Sequence, residues 1–539
     1  MSDITPSTCS ETDINTAIAS AVTGDRIRLD LVSGGCTPTW TAALTTLSGK
    51  DITLYGDGSG ITGGGGGTWT GNVVVTLDNA AVTGQWLSLG TTASRVTGIH
   101  FKLMNSITAI LFARGQNFRI DNNKFENLSS TSILRAVHIA GDSSSGIAHP
   151  TGVLDHNSFV KCYTDVRGDL ALIANAIWDD ASTIGAASQT GVVFIEDNYF
   201  DGSGVSSQIL NCVDSQYGGR YVFRYNTGYA CAPTVHSMQT NDRGARSWEI
   251  YENTFSSRDT GSCANWIALI RGGTGVMFNN TATGTNYCSG TPLQLDNVRS
   301  FTVLGGSFGS CDGTSAADQN TVGETGWRCR DQIGAGADSA LSVGTTLESQ
   351  ASEPAYFWSN TLNSNPINPT VVNNGAAVKT GGSSADIRLN TDYFNSAKVG
   401  YTPFAYPYCV SGNGSGCAAG AGCIATLSPS SLDIGSVRPG LTSGSAFITL
   451  RNTGSASCTI TSISINSTTP AIFTQTNDCG GTLAVDATCT ITVTLVANTS
   501  GAMAQHTLTV DVATGSDSTA TLDGTGLTIQ QNLRSWFFQ

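Results

Sequence analysis

His236 is the second residue of the stretch VHSMQTNDRGARSWEIYENTF, and two arginines, Arg243 and Arg246, follow it closely. Only 12% of the 539 residues are charged, so these groups together concentrate chemistry in one place. Near neutral pH a histidine can take a proton, and an arginine can bind a carboxylate in bidentate fashion. Neighbouring segments extend the set. RAVHIAG, NAIWDDA, ILNCVDS, TVHSMQT, WIALIRG and PLQLDNV read as strands that place Val137, Ile177, Leu210, Val235, Ile267 and Leu293 on one side. The opposite side then carries a column of His138, Trp178, Asn211, His236, Ala268 and Gln294. A parallel column holds Asp180, Asp214, Gln239, Arg271 and Asp296. With strands stacked about 4.8 Å apart, Asp179, Asp180, Asp214, His236 and Arg271 would share one face.

That face suits a sugar polymer. Two carboxylates are the minimum for glycoside hydrolysis, one protonating the leaving oxygen and the other activating water. β-Elimination instead needs a base at C5 of a uronic acid and a cation on its carboxylate, for which His236, Arg243, Arg246, Arg271 or Tyr217 would serve. Trp178 and Trp266 would stack on sugar rings, with Asn211 and His138 adding polar contacts. A purely structural reading stands beside this one. His138 and His149 would be solvated surface, and Arg243 and Arg246 would pair with Glu249 and Glu252.

These residues are positioned by a repeat. RIDNNKFEN, VLDHNSFVK, FIEDNYFDG, VFRYNTGYA, EIYENTFSS and MFNNTATGT each carry apolar alternation, then Asn, then one residue and usually an aromatic. The asparagines are Asn123, Asn157, Asn198, Asn226, Asn253 and Asn280, spaced by 34, 41, 28, 27 and 27 residues. TGIHFKL before them and LGGSFGS after them continue the register without the Asn. Short strands at this period predict a stacked solenoid, with longer gaps taken up by loop insertions. Inward Val, Ile, Leu and Phe would form one core. Asn at a fixed corner tolerates left-handed backbone, and its amide can bond its equivalent one turn on. The crossover rule makes the coil right-handed. Asn-Gly hairpin turns are scarce, which argues against a propeller or sandwich here. ETDINTAIASAVTGDRIRLD predicts a short helix with Ile14, Ala17, Ile18 and Val22 apolar, then a strand; the helix would cap the coil.

The helix followed by GDRIRL, the LYGDGSG turn and the Asn corners resemble pectate-lyase-like right-handed parallel β-helix proteins over about residues 1–408. The stretch GWRCRDQIG…EPAYFWSN…NTDYFNSAKVGYTPFAYP looks like the distal end of large extracellular members of that group. The order Asp, Asp, His, Arg is similar to polygalacturonases, although their Asn-Thr-Asp, Gly-His-Gly and Arg-Ile-Lys motifs are absent. The resemblance implies action on acidic polysaccharide. It also implies Ca²⁺ on Asp179, Asp180 and Asp214, a hard cation on oxygen ligands.

A linker over 409–424, which begins CVSGNGSGCAAGAGC, precedes a change in pattern. Residues 425–527 read as short alternating strands at sandwich spacing. LRNTGSAS, CGGTLAVDATCTITV and the closing LDGTGL resemble bacterial immunoglobulin-like modules of the abnormal-spindle/Hydin type, whose likeness implies bridges Cys423–Cys458 and Cys479–Cys489. The aromatic tail TIQQNLRSWFFQ, 528–539, lies outside the module and would pack back or dock to a partner.

A net charge of −14 and a pI of about 4.7 exclude nucleic acid as a partner. The 15 cysteines include near neighbours Cys9/Cys36, Cys263/Cys288, Cys311/Cys329, Cys409/Cys417 and Cys479/Cys489, read as disulfides of an oxidising compartment. Cys162 and Cys212 fit core positions. No apolar run reaches membrane-spanning length. The polar start, MSDITPSTCS, is read as a mature exported chain with an added Met, or export without a signal. The expectation is therefore an all-β protein: a right-handed parallel β-helix with an N-terminal capping helix, then an Ig-like β-sandwich. It would be secreted or at the cell surface and cleave a uronic-acid polysaccharide. The alternative is a non-catalytic adhesion, glycan-binding or structural protein that self-associates or meets a surface partner through the Ig-like module or tail.

Overall fold

The computed structural model describes residues 2–47, 49–58, 69–82, 84–90, 93–104, 109–128, 134–141, 149–169, 178, 184–185, 191–205, 211–237, 243–258, 266–287, 291–296, 330–337, 350–372, 387–404, 406–408, 423, 425–428, 431–452, 457–466, 472–484, 487–502, 505–513 and 518–527. Contacts divide it into Met1–Asn413 and Gly414–Gln539.

In the first unit, three sheets of 12, 11 and 9 strands, parallel except for the last pair of the 11-stranded one, take their strands in rotation, so each turn of the central part adds one strand to each sheet. This is a solenoid. Phe118–Asp121, Lys124–Asn127 and Leu134–Gly141 are one such turn, and each pairs with the strand one turn on. Inward side chains make a continuous core. Phe101, Phe125, Phe159 and Phe200 stack along the second sheet with centroids 5.6, 5.0 and 4.6 Å apart. The next turn has Gly228 at that position, where a Cβ would lie 3.0 Å from the Phe255 ring and 3.2 and 3.3 Å from the Cys231 and Cys212 sulfurs. The Cys212–Cys231 disulfide therefore occupies the space of the missing ring. Cys212 is a core residue as expected, but bonded; Cys162 is the buried free cysteine among the described residues.

The corner asparagines form a buried amide ladder. From Asn157 through Asn280, each Oδ1 accepts from both the backbone N–H and the Nδ2 of the preceding corner Asn. Each Nδ2 also donates to backbone carbonyls, as Asn226 does to Ile195 and Arg224. The ladder runs one turn further than the sequence reading, to Asn360, reached after an 80-residue separation. LGGSFGS lies outside the described residues. The left-handed residue is also not the asparagine. It is the one before: Asn122, His156, Asp197, Tyr225, Glu252, Asn279 and Ser359, with φ between 52° and 57°. That geometry turns the chain and frees the Asn amide to face the interior.

The helix Glu11–Ser20 is the one helix among the described residues. Ser10 caps it by accepting from the Asp13 N–H, and Ile14, Ala17 and Ile18 are buried in the solenoid core. Val22, expected on the same apolar face, is 63% exposed, because the helix has ended by Ala21.

On the outer side of the first sheet, Phe194, Val222, Tyr251, Val276 and Phe278 form a second apolar layer. Tyr401, Phe404 and Tyr408 pack across it from the end of the unit.

The second unit pairs a four-stranded sheet, which includes Ala446–Asn452 and Thr488–Leu495, with a six-stranded sheet, which includes Cys458–Ile465 and His506–Val512. Ile448, Leu450, Ile491, Val493, Leu508, Val510 and Leu522 fill the space between them. Its bridges are Cys423–Cys458 and Cys479–Cys489. With Cys9–Cys36 and Cys212–Cys231 these make four disulfides among the described residues, compatible with an extracellular protein. The pairs expected at Cys263/Cys288, Cys311/Cys329 and Cys409/Cys417 lie outside the described residues. No helix among the described residues is long and apolar enough to cross a membrane.

Candidate functional site

The site lies on the outer side of the third sheet, over the strands Leu134–Gly141, Cys162–Asp169, Asn211–Gln216, Ala232–Val235, Ala268–Ile270 and Leu293–Asp296. The register corrects the expected columns. The strand after Leu134–Gly141 is CYTDVRGD, not NAIWDDA. One column holds His138, Asp165, Asp214, Thr234, Leu269 and Gln294 in pairwise register. Two residues on along each strand come Arg167 and Gln216, then His236, Arg271 and Asp296. Asp214 reaches the outer side because a bulge between Asn211 and Val213 changes the alternation. His236 is thus not level with Asn211, which pairs with Ala232.

Side chains connect these positions. Asp214 Oδ1 accepts from His236 Nδ1 at 2.6 Å and from the Ser215 N–H at 2.8 Å. His236 Nε2 faces Arg271 Nη1 at 3.4 Å, and Arg271 Nε lies 3.4 Å from Asp296 Oδ2. Asp214, His236 and Arg271 keep 12–16% of their side chains exposed, so the chain of groups reaches solvent. Burial opposes the charge on Asp214, but His236, Arg167 and the Ser215 N–H together outweigh it and hold this carboxyl below its usual range. With Nδ1 donating to Asp214, His236 Nε2 is left as the basic atom.

A second cluster adjoins the first. Asp165 Oδ2 accepts from Arg135 Nη1 and Arg167 Nε, both at 2.8 Å. Arg167 lies over the Tyr217 ring, 4.7 Å from its centroid. Burial pushes the Asp165 carboxyl up, and neighbouring Asp214 adds to this, against the pull of Arg167 and Arg135. His138 stands 3.8 Å from Asp165 Oδ2. Burial, with Arg135, Arg167 and Arg114, pulls it down to about 2, so it is neutral.

Other expected residues lie elsewhere. Trp178 is fully buried beneath Arg243 and Arg246, whose guanidinium carbons sit 5.0 and 5.4 Å from its ring. Arg243 forms a two-pronged pair with Asp331 at 2.8 Å, and Arg246 pairs with Glu353. Both are buried structural groups; their partners are not Glu249 and Glu252. Gly272 lets the Asp331 segment approach, since a Cβ there would stand 2.3 Å from the Asp331 carbonyl oxygen. Trp266 Nε1 donates to Gln294 Oε1, and Asn211 Oδ1 accepts from Thr234. Asp179 and Asp180 lie outside the described residues. Asp214 is engaged by His236 with Arg167 and Arg271 beside it, a cationic setting that does not suit Ca²⁺, and no step is assigned to the ion. Among the described residues the one carboxylate–sulfur grouping of ligand spacing is Asp478, Cys479 and Cys489, and its sulfurs are joined in a disulfide.

Asp165, Arg135 and Arg167 escaped the sequence reading. In CYTDVRGD the inward residues are Cys162, Thr164, Val166 and Gly168, too small and too weakly apolar to announce a core strand. The signal available was the outward alternation of Tyr163, Asp165 and Arg167.

Residues 424–525 match the family model for the HYDIN/CFA65/VesB-like, Ig-like domain. No family model matches the solenoid, and no curated protein matches the chain. Similar solved structures include a protein of unknown function from Porphyromonas gingivalis W83, 15% identical over 20% of this chain and 50% of its own, with TM-score 0.17. The secreted serine protease VesC from Vibrio cholerae is 20% identical over 20% of this chain and 23% of its own, with TM-score 0.16. PapD-like domain 7 of human CEP192, an ASH/PapD-like domain, is 13% identical over 24% of this chain and 99% of its own, with TM-score 0.19. The chain thus spans half the length of the first and less of the second. At these values none of the three bears on the chemistry.

Proposed function

We propose that the protein is exported and cleaves a uronic-acid-containing polysaccharide on the outer side of the third sheet. The observation that carries this is the chain Asp214–His236–Arg271–Asp296, partly open to solvent. β-Elimination fits it best. Asp214 orients His236 and supports the imidazolium that forms as Nε2 takes the C5 proton. Arg271 beside it binds the uronic carboxylate and stabilises the negative charge that develops at C5. Arg135 and Arg167 on neighbouring turns add positive potential for a polyanion, within a protein of net charge −14. Inverting hydrolysis is the second reading, favoured by two carboxylates, Asp165 and Asp214, in register on successive strands.

The test is a panel of pectins, alginate, glycosaminoglycans and neutral glucans, with and without Ca²⁺, following reducing ends and the ultraviolet absorbance of unsaturated products together. Elimination gives both signals and hydrolysis gives reducing ends alone. His236→Ala should abolish either. No cleavage, with retention of one polymer on the protein, would replace the enzyme with a glycan-binding surface protein.

A further inference from the structure

We infer that Asp165 is the proton donor of this site, delivering its proton from Oδ1 to the oxygen that leaves when the polymer is cut. The inference rests on the cleavage proposed above and assigns Asp165 its step in it.

Asp165 is buried, with 1% of its side chain exposed. Its two oxygens are not equivalent. Oδ2 accepts two charge-assisted hydrogen bonds, from Arg135 Nη1 and Arg167 Nε, which use both of its lone pairs. A proton on this carboxyl can therefore sit only on Oδ1. Oδ1 is buried and has no hydrogen-bond partner among the described residues. His138, next to it in register, has its Nε2 in the same condition. Two neighbouring buried polar atoms without partners carry a desolvation penalty that a bound oxygen would relieve. A bridging or hydroxyl oxygen is the ligand both can meet: Oδ1–H donates to it, and neutral His138 faces it without adding charge.

Asp214 cannot fill this role. Its Oδ1 is the acceptor that orients His236, so a proton there would break the contact that holds the base in place. The two carboxyls, on successive strands, thus have divided tasks, one held charged behind the base and the other able to keep a proton. In elimination His236 takes the C5 proton. The C5–H electron pair becomes the C4–C5 double bond. The C4–O pair leaves on the oxygen, which takes the Oδ1 proton, and Asp165 becomes a carboxylate already held by two arginines. Solvent then carries the proton from His236 back to Asp165. In hydrolysis the same proton goes to the glycosidic oxygen while water adds at the anomeric carbon.

The test compares Asp165→Asn with wild type on two substrates: the polymer of the panel that wild type cleaves best, and an oligomer of the same uronic acid carrying 4-nitrophenolate as leaving group. That leaving group departs without a proton. Asp165→Asn should lose about 100-fold or more in kcat/KM on the polymer and little on the nitrophenolate substrate. Equal loss on both, or no loss on either, would overturn the assignment and leave the cleavage reading standing. Wild type inactive on the whole panel would remove both. If Asp165→Asn does not fold, Arg135→Gln decides. Losing one cation beside Asp165 should move the alkaline limb of the pH–kcat/KM profile up by about 1 unit. An unmoved limb refutes the role.

Discussion

Glu249→Gln should make the outer layer of the first sheet tighter above neutral pH and leave it unchanged in acid. Glu249 sits fully buried in the strand Ser247–Tyr251, beneath Tyr401. Its Oε2 accepts from the Tyr401 hydroxyl at 2.6 Å and its Oε1 from the Gly185 N–H at 2.7 Å. Arg224 acts on it only through charge, itself bound to Glu196, the Tyr251 hydroxyl and the Phe404 carbonyl. Burial pushes Glu249 up to about 7 from an ordinary 4.5, against the pull of Tyr401, Gly185 and Arg224. The sign follows. Where the layer is open, Glu249 titrates near 4.5; closed, near 7. Below pH 4.5 both states are protonated and the closed state keeps its full stability. As pH rises from 4.5 to 7, the open state ionises while the closed state still holds its proton, so closure loses stability until the closed state has ionised as well. The difference between the two states corresponds to about 3 kcal/mol, a few hundred-fold in the opening equilibrium. Hydrogen exchange of the Tyr401 and Tyr408 amides, which donate to the Lys398 carbonyl and to Glu196 Oε1, reads this equilibrium once corrected for intrinsic rates. Wild type should lose protection from pH 5 to 8, whereas Glu249→Gln should lose much less. Glu196, also pushed up to about 7 by burial, contributes the slope that remains. Parallel profiles for wild type and variant would refute the reasoning.

Asn226→Ala would strip acceptors from the Asn198 N–H and Nδ2, both buried, and should destabilise the solenoid by about 3 kcal/mol, read as loss of exchange protection in the two flanking turns. Arg243→Met leaves Asp331 buried without its ion pair and should cost about 3–5 kcal/mol in thermal or denaturant unfolding; a variant that unfolds like wild type but binds polymer less would return Arg243 to the substrate site. Replacing both Cys212 and Cys231 with Ala removes a cross-link and opens space beside Gly228, and should lower stability by about 2–4 kcal/mol while leaving the other three bridges intact by mass mapping.

The solenoid was legible because its constraint is local and repeated. An Asn in each turn, with a residue before it able to take positive φ, leaves a mark at every period, and alternating apolar residues beside it mark the strands. The short helix in ETDINTAIAS and the bridges Cys9–Cys36, Cys423–Cys458 and Cys479–Cys489 were likewise readable from short stretches or from resemblance. The site was only partly so. Asp214, His236 and Arg271 do meet, although through a bulge the alternation could not foresee. Asp165 was hidden in a strand whose inward residues are small, and Trp178 was placed outside when it is buried. Arg243 shows the physical reason most plainly. Its charge looked free for substrate because its partner, Asp331, lies 88 residues further along the chain. The sequence by itself determined the repeat and the Asn at its corners. Which polar groups face solvent, and which are consumed by buried partners, depends on register and on distant segments, and only the tertiary structure decided it.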